Sequence, residues 1–142
     1  MKIQSFEIGD FVEDQEYSFD EIITEKMIDD FVSVSGDCSP IHTSDEFAKS
    51  KGFQGRIVHG AFLASLLSQL VGVHFPGENA MLVSMNNKFT DKCYINDKIT
   101  VGCHVDQIST GTKTMVLKAY VKKTNSELIL VKSKIIVLFT NA

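Results

Sequence analysis

Hydrophobic positions change their spacing about halfway along the chain, from the period of a helix to the period of a strand. The first half contains an apolar set spaced by three and four residues: Met27, Ile28, Phe31 and Val34. That spacing is typical of one face of a helix, which Thr24 can cap and Gly36 can end. A second, short helix is predicted from Ser44 to about Gly52. The first half of the chain is therefore predicted to be helical.

A third helix is predicted from about Gly60 to Val73. Its sequence, AFLASLLSQLVGV after the glycine, is apolar almost all the way round. Such a pattern is typical of a helix that is buried on every side. We expect this helix to form the centre of the core.

The second half alternates apolar and polar residues with a period of two, which predicts strands over 99–106 and 114–121. Turn-forming residues follow at 109–112 and 124–126. The mostly apolar stretch 128–139 predicts a longer strand inside the sheet, and 80–89 is a weaker candidate. The expected fold class is α+β, with an antiparallel sheet that covers one buried helix.

Composition narrows the range of functions. A chain of 142 residues with 44% apolar and 23% charged residues is expected to form a single domain over 1–142. The net charge of −4, without a basic block, argues against nucleic acid and against an anionic membrane as the main partner. No secretory signal pattern opens the sequence, and the longest apolar run, 61–73, is too short to span a membrane. We expect a cytoplasmic protein with three reduced cysteines.

Candidate chemistry lies in the segment GDCSPIH, where Asp37 and His42 are five positions apart. Pro40 disfavours helical angles at Ser39, so we expect both side chains to project from an irregular loop. Histidine can accept a proton near neutral pH, and a neighbouring carboxylate can orient a water molecule or return the proton. The alternative is that Asp37 is only a turn or cap residue.

A second candidate lies where the buried helix begins. His59 and Gly60 precede backbone N–H groups that have no partner in the first helical turn, so a carbonyl oxygen or an enolate placed there would be stabilised. Glycine also allows a ligand to approach the backbone closely. The alternative is a tight turn into a packed helix.

These two segments carry a family resemblance. The sequence SGDCSPIH, followed by GRIVHGAFLASLLS at 55–68, resembles the hydratase-2 motif of the MaoC-like dehydratases and R-specific enoyl-CoA hydratases. The likeness extends from Tyr17 to Phe139. It implies a hot-dog fold, in which an antiparallel sheet wraps a long central helix, and it implies a homodimer.

The resemblance also implies an activity, which is reversible hydration of a trans-2-enoyl thioester to an (R)-3-hydroxyacyl thioester carried on CoA or acyl carrier protein. Matched position by position, Asp37 and His42 activate water, the N–H of Gly60 polarises the thioester carbonyl, and Ser68 lies near the acyl group. Ser39 and His59 are further candidates for contacts with the substrate. No metal and no cofactor are expected.

Two positions depart from the family pattern, with Ser39 where asparagine is usual and Lys92 where proline is usual. Serine offers one hydroxyl in place of an amide, so the hydrogen bonds of the loop are expected to change. Arg56, which leads into the second motif, is a candidate for contacts with the phosphates of the substrate.

Other functions remain open. A thioesterase of this fold usually has a carboxylate on the central helix, whereas 61–73 contain none, and a subunit that only binds acyl thioesters is a further alternative. A thiol nucleophile at Cys38 is less favoured, because nothing in the sequence visibly activates the thiol and the family resemblance explains the same segment better. A metal site formed by Asp37, Cys38, His42 and His59 is less favoured too, because the spacing matches no common ligand pattern.

Overall fold

Five antiparallel strands form one sheet in the computed structural model, which describes residues 1–141. The strands follow each other across the sheet in the order β1-β3-β4-β5-β2. Their bounds are Glu16–Ile22 for β1, Ala80–Phe89 for β2, Lys98–Ser109 for β3, Thr114–Lys123 for β4 and Ile129–Phe139 for β5. The antiparallel sheet and the strands of the second half are confirmed.

Within the described residues, four α-helices accompany the sheet: α1 at Glu25–Ser35, α2 at Pro40–Thr43, α3 at Asp45–Ser50 and α4 at Gly60–Gln69. A short 3-10 helix at Ile8–Asp10 precedes β1. The last helix continues as one wider, π-type turn over Leu70–His74. The predicted caps are confirmed at both ends of α1, since the Thr24 side chain accepts a hydrogen bond from the N–H of Met27 and Gly36 adopts the left-handed conformation. Within residues 1–141, every helix is too short or too polar to cross a membrane.

The core lies between α4 and one face of the sheet. Leu63, Leu67 and Leu70 are fully buried there, with the inward residues of β3, β4 and β5. The expectation that this helix is buried on every side is wrong for the described chain. Its small and hydroxyl residues Ala61, Ser65 and Ser68 are exposed, because their spacing of four and three places them on one face.

Strand β1 falls in the half of the chain that was predicted to be helical. It pairs with β3, with Glu16 opposite His104 and Ile22 opposite Lys98. Only Tyr17 and Phe19 pack against the core from this strand. Two apolar positions give only a weak alternation of apolar and polar residues in the sequence. The extended conformation of this segment is stabilised by its pairing with β3.

The segment around Pro40 is more regular than predicted. Pro40 opens the single turn of α2, so His42 projects from a helix and only Asp37 projects from the loop. The proline does keep Ser39 extended, at φ −50° and ψ 135°. At the first position of a helix, however, an N–H group would have no partner within the helix, so proline loses nothing by its absence. The fixed φ of proline also suits the helix.

Strand β2 is an edge of the sheet, and much of its apolar surface is open. Met81 is 51% exposed and Val83 is 56% exposed. The register with β5 shifts between Leu82 and Ser84, so Val83 lies at a bulge. An exposed apolar edge strand is a template for pairing with another chain.

Candidate active site

Asp37 lies in the turn that follows α1. Its Oδ1 accepts a hydrogen bond of 3.2 Å from the backbone N–H of Ser39, and its own N–H donates to the hydroxyl of Ser35 at 3.1 Å. The side chain is exposed. The carboxylate is therefore positioned by backbone geometry, and the side chain of residue 39 has no part in that bond.

His42 is half-buried in α2, and its orientation is fixed from one side. Its Nδ1 lies 2.7 Å from the carbonyl oxygen of Ile57. Because a carbonyl oxygen only accepts, Nδ1 must carry the proton, and Nε2 of the neutral ring keeps a lone pair. His42 can therefore act as a base through Nε2.

His59 is buried behind His42, with 2% of its surface exposed. Its Nε2 donates to the backbone carbonyl of Asp37 at 3.0 Å. The two imidazole rings stack with their centroids 3.8 Å apart and their planes 22° from parallel. The edge of Phe31 completes the enclosure, at a centroid distance of 5.0 Å.

Asp37, His42 and His59 each bring one potential ligand atom to within 4.8 Å of the others. Cys38 is not part of this cluster. A metal ion lies near the plane of each imidazole that binds it, about 2.0–2.1 Å from the nitrogen. Two stacked, nearly parallel rings do not share such an ion, so this arrangement fits acid and base chemistry better than metal binding.

Gly60 begins α4 beside this cluster. The N–H groups of Phe62 and Leu63 donate to the carbonyl of His59, whereas the N–H of Gly60 makes no hydrogen bond to any residue in 1–141. An added Cβ on Gly60 would lie 2.9 Å from two ring carbons of Phe89. The first turn thus presents a free donor at a point where any larger residue would have to displace the ring of Phe89.

His42 and Gly60 line one cleft of about 350 Å³. Its remaining lining residues are mostly apolar: Ile57, Val58, Leu63, Phe89, Thr90, Asp91, Lys92 and Cys93. Sequence reasoning missed Phe89, although it stands at the end of a predicted strand. Lys92, noted only as a departure from the family pattern, also lines the cleft.

Arg56 is not among the residues that line this cleft. The side chain is 9% exposed, and its guanidinium donates to the carbonyl of His42 at 2.7 Å, to Glu25 at 3.2 Å and to Asp29 at 2.7 Å. Its backbone N–H donates to Asp45 at 2.8 Å. Arg56 thus joins three helices, and its contacts do not support the predicted role in binding phosphates.

Ser68 lies eight residues beyond Gly60, about 12 Å along the axis of α4. It is exposed and is not among the residues that line the cleft. Its predicted place near the acyl group therefore stays a prediction.

The thiol nearest to the cleft is unreactive near neutral pH. Burial, with a smaller effect from Asp97, raises the pKa of Cys93 to about 12. Since the thiolate is the nucleophile, Cys93 contributes surface and no chemistry. Cys38 is the one exposed cysteine among the described residues.

The sheet that packs on α4 has the hot-dog arrangement of one domain family. The MaoC like domain model matches residues 10–127, and the chain belongs to this family. It is 31% identical to a 3-hydroxybutyryl-CoA dehydratase of Methylorubrum extorquens over 69% of this chain. It is 30% identical to an (R)-specific enoyl-CoA hydratase of Aeromonas caviae, over 74% of this chain and 75% of that protein.

The fold agrees with solved structures. An (R)-hydratase of Aeromonas caviae superposes with a TM-score of 0.86 at 22% identity, covering 91% of this chain and 97% of that one. The chain spans less than two thirds of the length of three curated relatives, at 65%, 46% and 63%. The hot-dog fold and the family are thereby confirmed.

Proposed function

We propose that the protein is a hydro-lyase that reversibly hydrates a trans-2-enoyl thioester to an (R)-3-hydroxyacyl thioester. One observation carries the proposal: His42, whose Nε2 keeps a lone pair, and Gly60, whose N–H has no partner, line one largely apolar cleft, with Asp37 beside His42. The names of the family relatives, which include hydratases and dehydratases, support the same reaction.

Gly60 acts on the thioester carbonyl. Its N–H donates to the carbonyl oxygen at the positive end of α4, which withdraws electrons from the double bond and makes the β-carbon electrophilic. The same donor stabilises the enolate that forms when water adds. The apolar walls of the cleft hold the acyl chain and exclude bulk water.

Asp37 and His42 act on the water. The lone pair of His42 Nε2 and the carboxylate of Asp37 hold one water molecule and take up its proton while its oxygen bonds to the β-carbon. The pair then delivers a proton to the α-carbon of the enolate. One O–H bond and the π bond between the α- and β-carbons break, one C–O and one C–H bond form, and the dehydration runs through the same steps in reverse.

The first test replaces the pair. Asp37→Asn and His42→Ala are each expected to lower crotonyl-CoA hydration by about 10²–10⁴-fold, the usual contribution of a positioned acid or base. The loss of absorbance of the enoyl thioester measures the rate. Cys38→Ser, which changes an exposed residue between the two, is the matched control and should keep the wild-type rate.

The outcomes separate the competing functions. Hydration at near-wild-type rates in both Asp37→Asn and His42→Ala would contradict the proposed site. Release of free thiol from the substrate would indicate a thioesterase, and binding without either reaction would indicate an acyl-thioester-binding subunit. A panel of CoA and carrier-linked substrates with chiral analysis of the product would identify the carrier and the isomer.

The proposal includes an assembly. Strand β2 is an open edge with exposed Met81, Leu82 and Val83, and we infer that it pairs with β2 of a second copy to form a homodimer. The substrate, as CoA or acyl carrier protein thioester, is the other partner. A cytoplasmic location and a reaction without metal or cofactor stay predictions.

A further inference from the structure

His59 lies at the centre of the site but cannot touch the substrate. Its ring is 2% exposed, enclosed by His42 on one face and by the edge of Phe31. Any influence of this ring on the reaction must therefore pass through its neighbours. Two of them, Asp37 and His42, are the residues proposed to handle the water.

Hydrogen bonds fix the tautomers of both stacked rings. Nε2 of His59 faces the carbonyl of Asp37 at 3.0 Å, and Nδ1 of His42 faces the carbonyl of Ile57 at 2.7 Å. Since carbonyl oxygens only accept, these two nitrogens carry protons. The lone pairs of the neutral rings lie on Nδ1 of His59 and Nε2 of His42.

Nδ1 of His59 is a buried atom without a hydrogen-bond partner in residues 1–141. A second proton on this ring would create a buried cation with no acceptor for the new N–H, which is strongly unfavourable. The hydrogen-bond geometry therefore fits the tautomer of His59 that carries its single proton on Nε2. The face that it presents to His42 is an uncharged aromatic face, and such a face attracts a cation.

We propose that His59 is a positioning residue for the hydration reaction, with two effects. Its N–H ties the backbone of Asp37 to the stacked rings, and its neutral face stabilises His42 when that ring takes the proton of water. This inference rests on the proposed roles of Asp37 and His42. It assigns His59 to the pair and not to the substrate contacts expected from the sequence.

The pH dependence must be judged against every charged group around the stack. The loop after α1 contributes Asp37, and the segment after β2 contributes Asp91, Lys92 and Cys93, which line the same cleft as His42. The other aromatic neighbour of His59, Phe31, does not titrate. Variants that leave all these groups unchanged isolate the effect of His59.

Two variants separate the two effects. His59→Gln keeps a donor for the carbonyl of Asp37 but removes the aromatic face, so the acidic limb of the rate–pH profile should move to lower pH. His59→Phe keeps the face but removes the donor, so kcat should fall about tenfold or more while the limb stays in place. KM should change less than twofold in both.

An NMR titration of the histidine rings supplies a readout that does not depend on turnover. In the wild type, His59 should remain neutral with its proton on Nε2 while His42 titrates, and in His59→Gln the pKa of His42 should fall. Thermal unfolding of each variant accompanies these measurements. A kcat that is retained in His59→Gln and lost in His59→Phe supports positioning. A pH limb that moves only in His59→Gln supports it as well, because a merely structural role would not move that limb.

Several results would overturn the inference. These are a His59 ring that titrates together with His42, an unchanged His42 pKa in His59→Gln, or wild-type kcat and pH profiles in both variants. Failure of the proposed function would give a different result, because the wild type would then hydrate no enoyl thioester in the panel. The NMR titration would still show whether the His59 ring affects the His42 ring.

Discussion

At the scale of single residues, a substitution of Gly60 tests the shape of the cleft, because the structure shows that the added side chain would meet Phe89. A Cβ at this position would come to 2.9 Å from the ring of Phe89, closer than the 3.5–4.0 Å or so at which carbon atoms pack. Phe89 is 54% exposed and has room to turn. Gly60→Ala should therefore fold but narrow the cleft, with kcat/KM for crotonyl-CoA lowered about tenfold or more.

A second substitution checks the cause of that loss. Phe89→Leu in the Gly60→Ala background removes the ring that the new methyl group meets, so it should restore most of kcat/KM. Phe89→Leu alone is the matched control. If the double variant is no better than Gly60→Ala, crowding against Phe89 is not the reason for the loss.

At the scale of secondary-structure elements, Arg56 joins α1 to the helix that bears His42. Arg56→Met keeps much of the buried stem but deletes the bonds to the carbonyl of His42 and to Glu25 and Asp29. Both acids are largely exposed and remain solvated, so the expected loss of unfolding free energy is only about 1–3 kcal/mol. Urea denaturation measures it.

The control for Arg56 is an ion pair on the surface of α1. Lys26 pairs with Asp30 with both side chains exposed, and such pairs contribute little. Lys26→Met should leave the denaturation midpoint unchanged. Equal effects of the two substitutions would contradict the role assigned to Arg56.

Most helices and strands could be predicted from the sequence because their signals are local. Thr24 and Gly36 mark the ends of α1, and the alternation over β3 and β4 is long. Strand β1 could not be predicted as readily, since its extended conformation depends on pairing with β3, far along the chain. The single turn of α2 was obscured because Pro40 disfavours helix before it and favours helix after it.

The candidate site shows the same division. The pattern of residues predicted the importance of Asp37, His42 and Gly60, and the structure brings all three to one region. It did not predict that His59 stacks on His42 or that Arg56 turns toward α1. Those contacts join segments that are close only in the folded chain, and a single sequence contains no local signal for them.

At the scale of the whole molecule, the edge strand β2 predicts self-association. Met81→Lys combined with Val83→Lys places charges on both exposed positions, and like charges facing each other across a pair of edge strands are destabilising. The wild type should be a dimer by light scattering, and the double variant should shift toward monomer. Val12→Lys, at an exposed apolar position outside the strands, should not.

A monomeric wild type would contradict pairing through β2, and so would an unchanged dimer in the double variant. Comparing hydration rates of the monomeric variant and the dimer then shows whether the cleft beside Phe89 works in a single chain. Phe89 is the last residue of the same edge strand, so association and the shape of the cleft are physically connected.

The turn that holds Asp37 has a consequence for how such proteins are recognised. The bond to Oδ1 comes from the backbone N–H of residue 39, which every amino acid except proline possesses. This bond therefore places a demand on the main chain at position 39 and none on its side chain. A search motif that insists on asparagine there would pass over chains, such as this one, in which another residue supplies the backbone donor to the acid.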